Sequence, residues 1–208
     1  MTHTAPILDA GRRPLPGGKP GRCVHVFEAL PDAVRSRVAP AQAFLDTVFD
    51  AAPYLARLAQ RRPATLAACA VEPPESLIDH AIDNARIAGE AAPDADALDR
   101  ALRQAKADAH LVIGLADLAG IWSVEQVTAA MTRFADAAVA GALAGHVRLL
   151  AGQGRAFPPE AAGNPLPGLF VLALGKMGTG DLNYSSDIDL VVLYDADALV
   201  LPEDQEPR

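Results

Sequence analysis

From Ala41 to Arg61 the apolar residues Phe44, Leu45, Val48, Ala52, Leu55 and Leu58 recur at helical spacing. Pro53 either breaks that run or opens a fresh first turn, so the pattern predicts two short helices. A third helix is expected from about Pro74 and Glu75 to about Gly89, where glycine and then Pro93 supply a stop. Leu98, Leu102, Ala105, Ala109, Val112 and Ala116 step by 4, 3, 4, 3 and 4. That is one continuous seam, and it predicts a long helix ending near Gly120. Ser123 and Gln126 then have the spacing of a capping box, and Trp122 is placed to staple against Val127. The helix opened there runs through Met131, Phe134, Ala138 and Ala142 to about Ala151. The two long helices are expected to pair antiparallel, packed closely through the small residues of their seams.

Beyond Gly152 the period changes. Residues 153–168 read as a linker rich in Pro and Gly, followed by short apolar runs bounded by turn signals. Leu169 to Leu174 is expected as a buried strand and Ile188 to Tyr194 as a second one. Between them Gly175 to Ser186 reads as a Gly-rich turn with room for about one helical turn. At the other end, residues 1–38 mix Pro, Gly and Arg around a short apolar patch, Val24 to Phe27, and read as a mostly irregular leader. The expected class is mainly α with a partial α/β part: leader 1–38, helical region 39–152, linker 153–168 and a strand-bearing segment 169–208.

Composition narrows this picture. The chain has 208 residues, half of them apolar and only 5% aromatic, a balance that favours helices packed through small side chains. With 18 Lys+Arg against 26 Asp+Glu the net charge is -8, which disfavours a dedicated nucleic-acid binder. Cys23 and Cys69 have no metal-type spacing and are too few for a disulfide scaffold, so they read as thiols of a reducing compartment. The first 20 residues carry Arg12, Arg13 and Lys19 but no apolar core of a secretory signal. The apolar runs look too short to span a membrane. A cytoplasmic protein without membrane or nucleic-acid partners is expected. His3, His25, His80, His110 and His146 share no spacing and read as surface or core residues.

The chemistry concentrates in LGKMGTGDLNYSSDIDLVVLY, Leu174 to Tyr194. Asp187 and Asp189, two apart at the head of an apolar strand, are expected to emerge on one face with Cα atoms roughly 6 to 7 Å apart. At an effective dielectric of about 20 their repulsion is on the order of 2 to 3 kcal/mol, which a divalent cation turns into attraction. Oxygen-only ligands suit Mg²⁺. Asp195 and Asp197 repeat the spacing in a polar loop after the strand and read as a solvated pair. Gly175, Gly178 and Gly180 follow the first strand, where small residues let backbone N–H groups approach a phosphate, and Lys176 adds a cation. The order of residues fits neither G-x-G-x-x-G nor a P-loop.

A strand ending in Gly-Lys, a turn, and Asp-x-Asp twelve residues after Gly175 resembles the nucleotidyltransferase superfamily of DNA polymerase beta. GKMGTGDLNYSSDIDLVVLYD is similar to the GKLG-x-x-ELNYSSDIDL block of the bifunctional glutamine synthetase adenylyltransferases and adenylyl-removing enzymes. ADLAGIWSVEQVTAAMTRFADAA, Ala116 to Ala138, resembles the helical region before their first catalytic domain. Met177, Thr179 and Asp181 depart from the family's common Leu, Gly and Glu, and none of these is an expected metal ligand. The resemblance implies the first strands of a polymerase-beta-like domain in an N-terminal fragment, inactive alone, whose third carboxylate lies beyond residue 208. It implies removal of AMP from a tyrosine of glutamine synthetase by phosphorolysis, giving ADP, while a C-terminal domain adds AMP from ATP. Asp187 and Asp189 are then the catalytic, Mg²⁺-holding residues, and Gly175, Lys176, Gly178, Ser185 and Ser186 bind nucleotide and phosphate. Glutamine synthetase, a PII regulatory protein, ATP, ADP and phosphate are the implied partners. Two other readings stay open: a generic nucleotidyltransferase, and a helical interaction module with a vestigial site.

Overall fold

The computed structural model describes residues 5–10, 15, 23–154 and 168–195. Most of the expected linker, much of the first 22 residues and Asp197 lie outside that set. Among the described residues the chain is mostly helical, with a small two-stranded antiparallel sheet toward its C-terminus.

The elements run α1 (Ile7–Ala10), α2 (Val24–Glu28), α3 (Asp32–Val38), a 3₁₀ turn (Ala39–Ala41), α4 (Gln42–Ala51), α5 (Pro53–Arg61), α6 (Pro63–Ala68), α7 (Pro74–Ala91), α8 (Ala95–Leu118) and α9 (Val124–Gly152). After them come β1 (Leu169–Leu174), α10 (Gly175–Gly178) and β2 (Asp189–Tyr194). Pro53, Pro63 and Pro74 each open a helix, where a missing N–H costs nothing. The expectation of a mostly irregular leader is corrected by α1, α2 and α3. These helices are too short to persist by propensity and are held by burial: Ile7 and Val38 are fully buried, and the Phe27 ring lies 5.7 Å from that of Phe49.

The contacts divide the chain into two compact units, residues 1–81 with 106–131, and residues 82–105 with 132–208. In the first, Phe44, Leu45, Val48, Phe49, Leu66 and Ile78 are buried with Leu111, Ile113 and Leu115. Asp108 is buried there too and is satisfied by a forked pair from Arg62, Nε to Oδ1 at 2.7 Å and a terminal nitrogen to Oδ2 at 2.6 Å, and by the Thr65 hydroxyl. The capping box forms as expected: Ser123 N–H donates to Gln126 Oε1 at 2.9 Å and Gln126 N–H to Ser123 Oγ at 3.4 Å. Trp122 and Val127 are both buried, and the Trp122 indole N–H donates to Glu75 at 2.9 Å.

In the second unit α9 packs through glycines. A Cβ on Gly141 would meet the Ala85 carbonyl oxygen at 2.4 Å, and one on Gly145 would meet Leu98 at 2.6 Å. Gly141 lies near Leu102 and Gly145 near Leu98, so α8 and α9 run antiparallel here, as their seams predict. Arg148 closes the C-terminal end of α7, donating to the carbonyl oxygens of Gly89 and Ala92.

The expectation that no segment is long and apolar enough for a membrane needs correction. Among the described residues α9, 29 residues with an 18-residue stretch of mean hydropathy 1.3, passes that test by length and composition. Alanine is its commonest residue, and its Gly141 and Gly145 lie against neighbouring helices, which is what a packing helix requires.

Candidate metal and phosphate site

The second unit also carries the strands and the turn between them. β1 and β2 pair from Leu169 opposite Tyr194 to Leu174 opposite Asp189. The last rung therefore puts Asp189 beside the end of β1, where the chain turns into Gly175. Gly175 has φ +55, a left-handed conformation that glycine adopts without strain. A Cβ there would lie 3.7 Å from Asp189 Oδ2, so that carboxylate sits over the turn's first residue.

Gly178 serves a different end. A Cβ on it would stand 2.4 Å from the Ala173 carbonyl oxygen, so the single turn of α10 folds back against β1 only with glycine there. Lys176 is exposed on that turn, and Met177 is buried beneath it. Gly180, with φ +82, ends it. The amides of Thr179, Gly180 and Asp181 donate to the carbonyls of Gly175, Met177 and Lys176 at 3.1, 3.1 and 2.8 Å. The three amides at the back of the turn are thus engaged within it.

Leu182 is buried, and its N–H donates to the Thr132 hydroxyl on α9 at 3.3 Å. Asn183 follows at the surface, and its Oδ1 accepts from the Ser185 N–H at 3.3 Å and the Ser186 hydroxyl at 2.6 Å. The Ser186 proton is committed to Asn183, whereas Ser185 is exposed and carries the more available hydroxyl of the expected pair. Asp187 comes next, exposed, and Asp189 opens the strand. The expectation that both aspartates lie on one strand is corrected: β2 begins at Asp189, because its pair with Leu174 is the last rung, and Asp187 precedes the ladder. Of the seven expected site residues, the structure places Gly175 and Asp189 in contact range and strings the rest along one continuous turn.

Thr132 and Asn183 are the participants that sequence reasoning missed. Asn183, two residues ahead of Ser185, carries the sequence signal of an Asx turn. Thr132 carries none, since it sits 50 residues upstream on a helix.

The donor set of Asp187 and Asp189, hard carboxylate oxygens beside a turn whose first residue has the left-handed φ that favours glycine, is of the kind that suits a hard divalent cation. Among the described residues no group of three or more His, Cys, Asp or Glu converges on a metal position. Elsewhere, Tyr54 and His110 share a hydrogen bond of 3.1 Å, and burial, with the nearby Lys106 charge, pulls the His110 pKa down to about 4. Cys23 and Cys69 are both buried and outside any disulfide, and burial pushes Cys69 up to about 12, which leaves it unreactive.

Comparison with known proteins places this site in context. The model of the glutamate-ammonia ligase adenylyltransferase family matches residues 43–206. A bifunctional glutamine synthetase adenylyltransferase/adenylyl-removing enzyme from Rhodopseudomonas palustris (strain TIE-1) is 44% identical over 168 residues, which is 80% of this chain and 17% of that protein. One from Caulobacter vibrioides is 43% identical over 166 residues, 79% of this chain and 17% of its own length. One from Bradyrhizobium sp. (strain ORS 278) reaches 54% over 108 residues, 51% of this chain and 11% of its own length. The chain spans about a sixth of the length of such relatives. No solved structure gives a significant match.

Proposed function

The chain belongs to the glutamate-ammonia ligase adenylyltransferase family, and from that premise we propose that it carries the beginning of the adenylyl-removing site of a polymerase-beta-like nucleotidyltransferase domain. The observation that carries the reading is the seating of the Asp189 carboxylate over Gly175, where a glycine turn meets the head of an aspartate-bearing strand. The family match begins at residue 43, well inside the helices, which weighs against a small stand-alone transferase.

In the proposed reaction an oxygen of inorganic phosphate attacks the phosphorus of the adenylyl group on a tyrosine of glutamine synthetase. The bond from phosphorus to the tyrosine oxygen breaks, ADP forms, and the proton from phosphate ends on the tyrosine hydroxyl. Asp187 and Asp189 would hold divalent cation, Mg²⁺, which when bound neutralises charge at the phosphorus and helps keep attacking and leaving oxygens in line. Lys176 and the head of the turn, Gly175 to Gly178, orient phosphate oxygens by charge and backbone N–H groups, with the Ser185 hydroxyl as a further donor. A PII regulatory protein, ATP and ADP belong to the same reading as partners of the whole enzyme, in the cytoplasm.

Two activities measured on one protein test the assignment. In the chain extended to the length of its relatives, Asp187→Asn with Asp189→Asn should abolish phosphate-dependent ADP release from adenylylated glutamine synthetase and leave AMP transfer from ATP intact. Loss of AMP transfer with ADP release retained would assign this half to the opposite direction. Retention of both would make the site vestigial.

A further inference from the structure

The hydrogen bond between Leu182 and Thr132 ties the site turn to α9 at one buried point. Leu182 and Thr132 are 4% and 8% exposed, so water does not substitute for either partner. The bond spans 50 residues of chain and joins the C-terminal exit of the glycine turn to the body of a 29-residue helix. It falls where the chain changes character. Before it, the amides of Thr179 to Asp181 are held within α10's own turn; after it, Asn183 holds Ser185 and Ser186 through its side-chain oxygen and accepts the Ser186 N–H at its backbone carbonyl at 3.2 Å. Every residue from Asn183 to Asp189 except the partly buried Ser186 is exposed, so packing does not fix that stretch. It is anchored at its two ends, Leu182 on Thr132 and Asp189 on the ladder opposite Leu174.

We propose that Thr132 is a positioning residue for the site: its hydroxyl holds Leu182 so that the Asn183–Ser186 turn delivers Asp187 beside Asp189. This rests on the metal-and-phosphate reading given above. The physical argument is that two carboxylates repel each other and sit together only if the backbone carrying them is fixed beforehand. Asp189 is fixed by strand pairing, whereas Asp187 has only the turn, and the turn is anchored through Leu182. Valine in place of Thr132 keeps the shape but leaves a buried N–H without an acceptor, while serine keeps the acceptor.

The test compares the unaltered chain with Thr132→Val, Thr132→Ser and Asp187→Asn/Asp189→Asn, reading amide hydrogen exchange residue by residue and the affinity for Mn²⁺. Thr132→Val should speed exchange at Leu182 and at Ser185 to Asp187 about tenfold relative to the interior of α9, and weaken Mn²⁺ several-fold. Thr132→Ser should stay near the unaltered chain in both. The inference is overturned if Thr132→Val speeds exchange along α9 and the turn alike, or leaves Ser185 to Asp187 unchanged. If the unaltered chain binds no Mn²⁺ that the double aspartate variant loses, the metal reading fails, and the exchange pattern still decides whether Thr132 holds the turn.

Discussion

His110 shows how a single side chain can set a pH dependence far from the candidate site. Its pKa is about 4 in the folded chain, chiefly because burial disfavours the charged ring, and about 6.5 is normal when unfolded. Above about pH 6.5 both states are neutral and the stability is fully present. Between about 6.5 and 4 the unfolded chain binds the proton and the folded one does not, so stability falls as pH falls, and below 4 the loss is complete. The gap corresponds to roughly 3 kcal/mol. His110→Gln should flatten that part of the stability curve relative to the unaltered chain, measured by denaturant unfolding from pH 7 to 4. Two parallel curves would mean that His110 is not buried neutral. At the same scale, the spacing of Gly175, Asp187 and Asp189 was legible because their chemistry is local. Spacing could show neither the commitment of the Ser186 hydroxyl to Asn183 nor the acceptor role of Thr132, which depend on hydroxyl directions and a 50-residue return of the chain.

Among elements, those that announce themselves are long and self-consistent. The 4-3 steps of α8 and the Ser123–Gln126 box of α9 reappear in the structure because each is satisfied within one helix. The helices α1, α2, α3 and α6 were not legible, since stretches of four to seven residues are held by burial against distant chain and not by their own period. α9 also explains its glycines. Gly141→Ala gains helix propensity yet drives a Cβ to 2.4 Å from a backbone oxygen that cannot swing aside. It should destabilise by about 1 to 3 kcal/mol. Gly152→Ala, with nothing within 4 Å, should be neutral or stabilising. Thermal unfolding of the two variants separates these outcomes, and an unchanged midpoint for Gly141→Ala would contradict the close crossing.

For the whole molecule, the two-stranded sheet is the least self-sufficient part. Phe170, Leu172 and Leu174 share one face with Val191 and Leu193, and Tyr194 and Val192 share the other with Leu169 and Val171. Phe170, Leu172, Leu174, Val192, Leu193 and Tyr194 are all exposed. An apolar two-stranded sheet is marginal by itself, so the turn owes its placement to Thr132, Leu182 and Met177 as much as to strand pairing. The proposal with the most consequence is that a divalent cation binds at this turn. Paramagnetic broadening of backbone amide signals by Mn²⁺ tests it most directly. The account predicts selective loss of signal at Gly175, Lys176 and Asp187 to Asp189, abolished by Asp187→Asn with Asp189→Asn. Broadening centred on other acidic positions, or unaltered in that double variant, would contradict it.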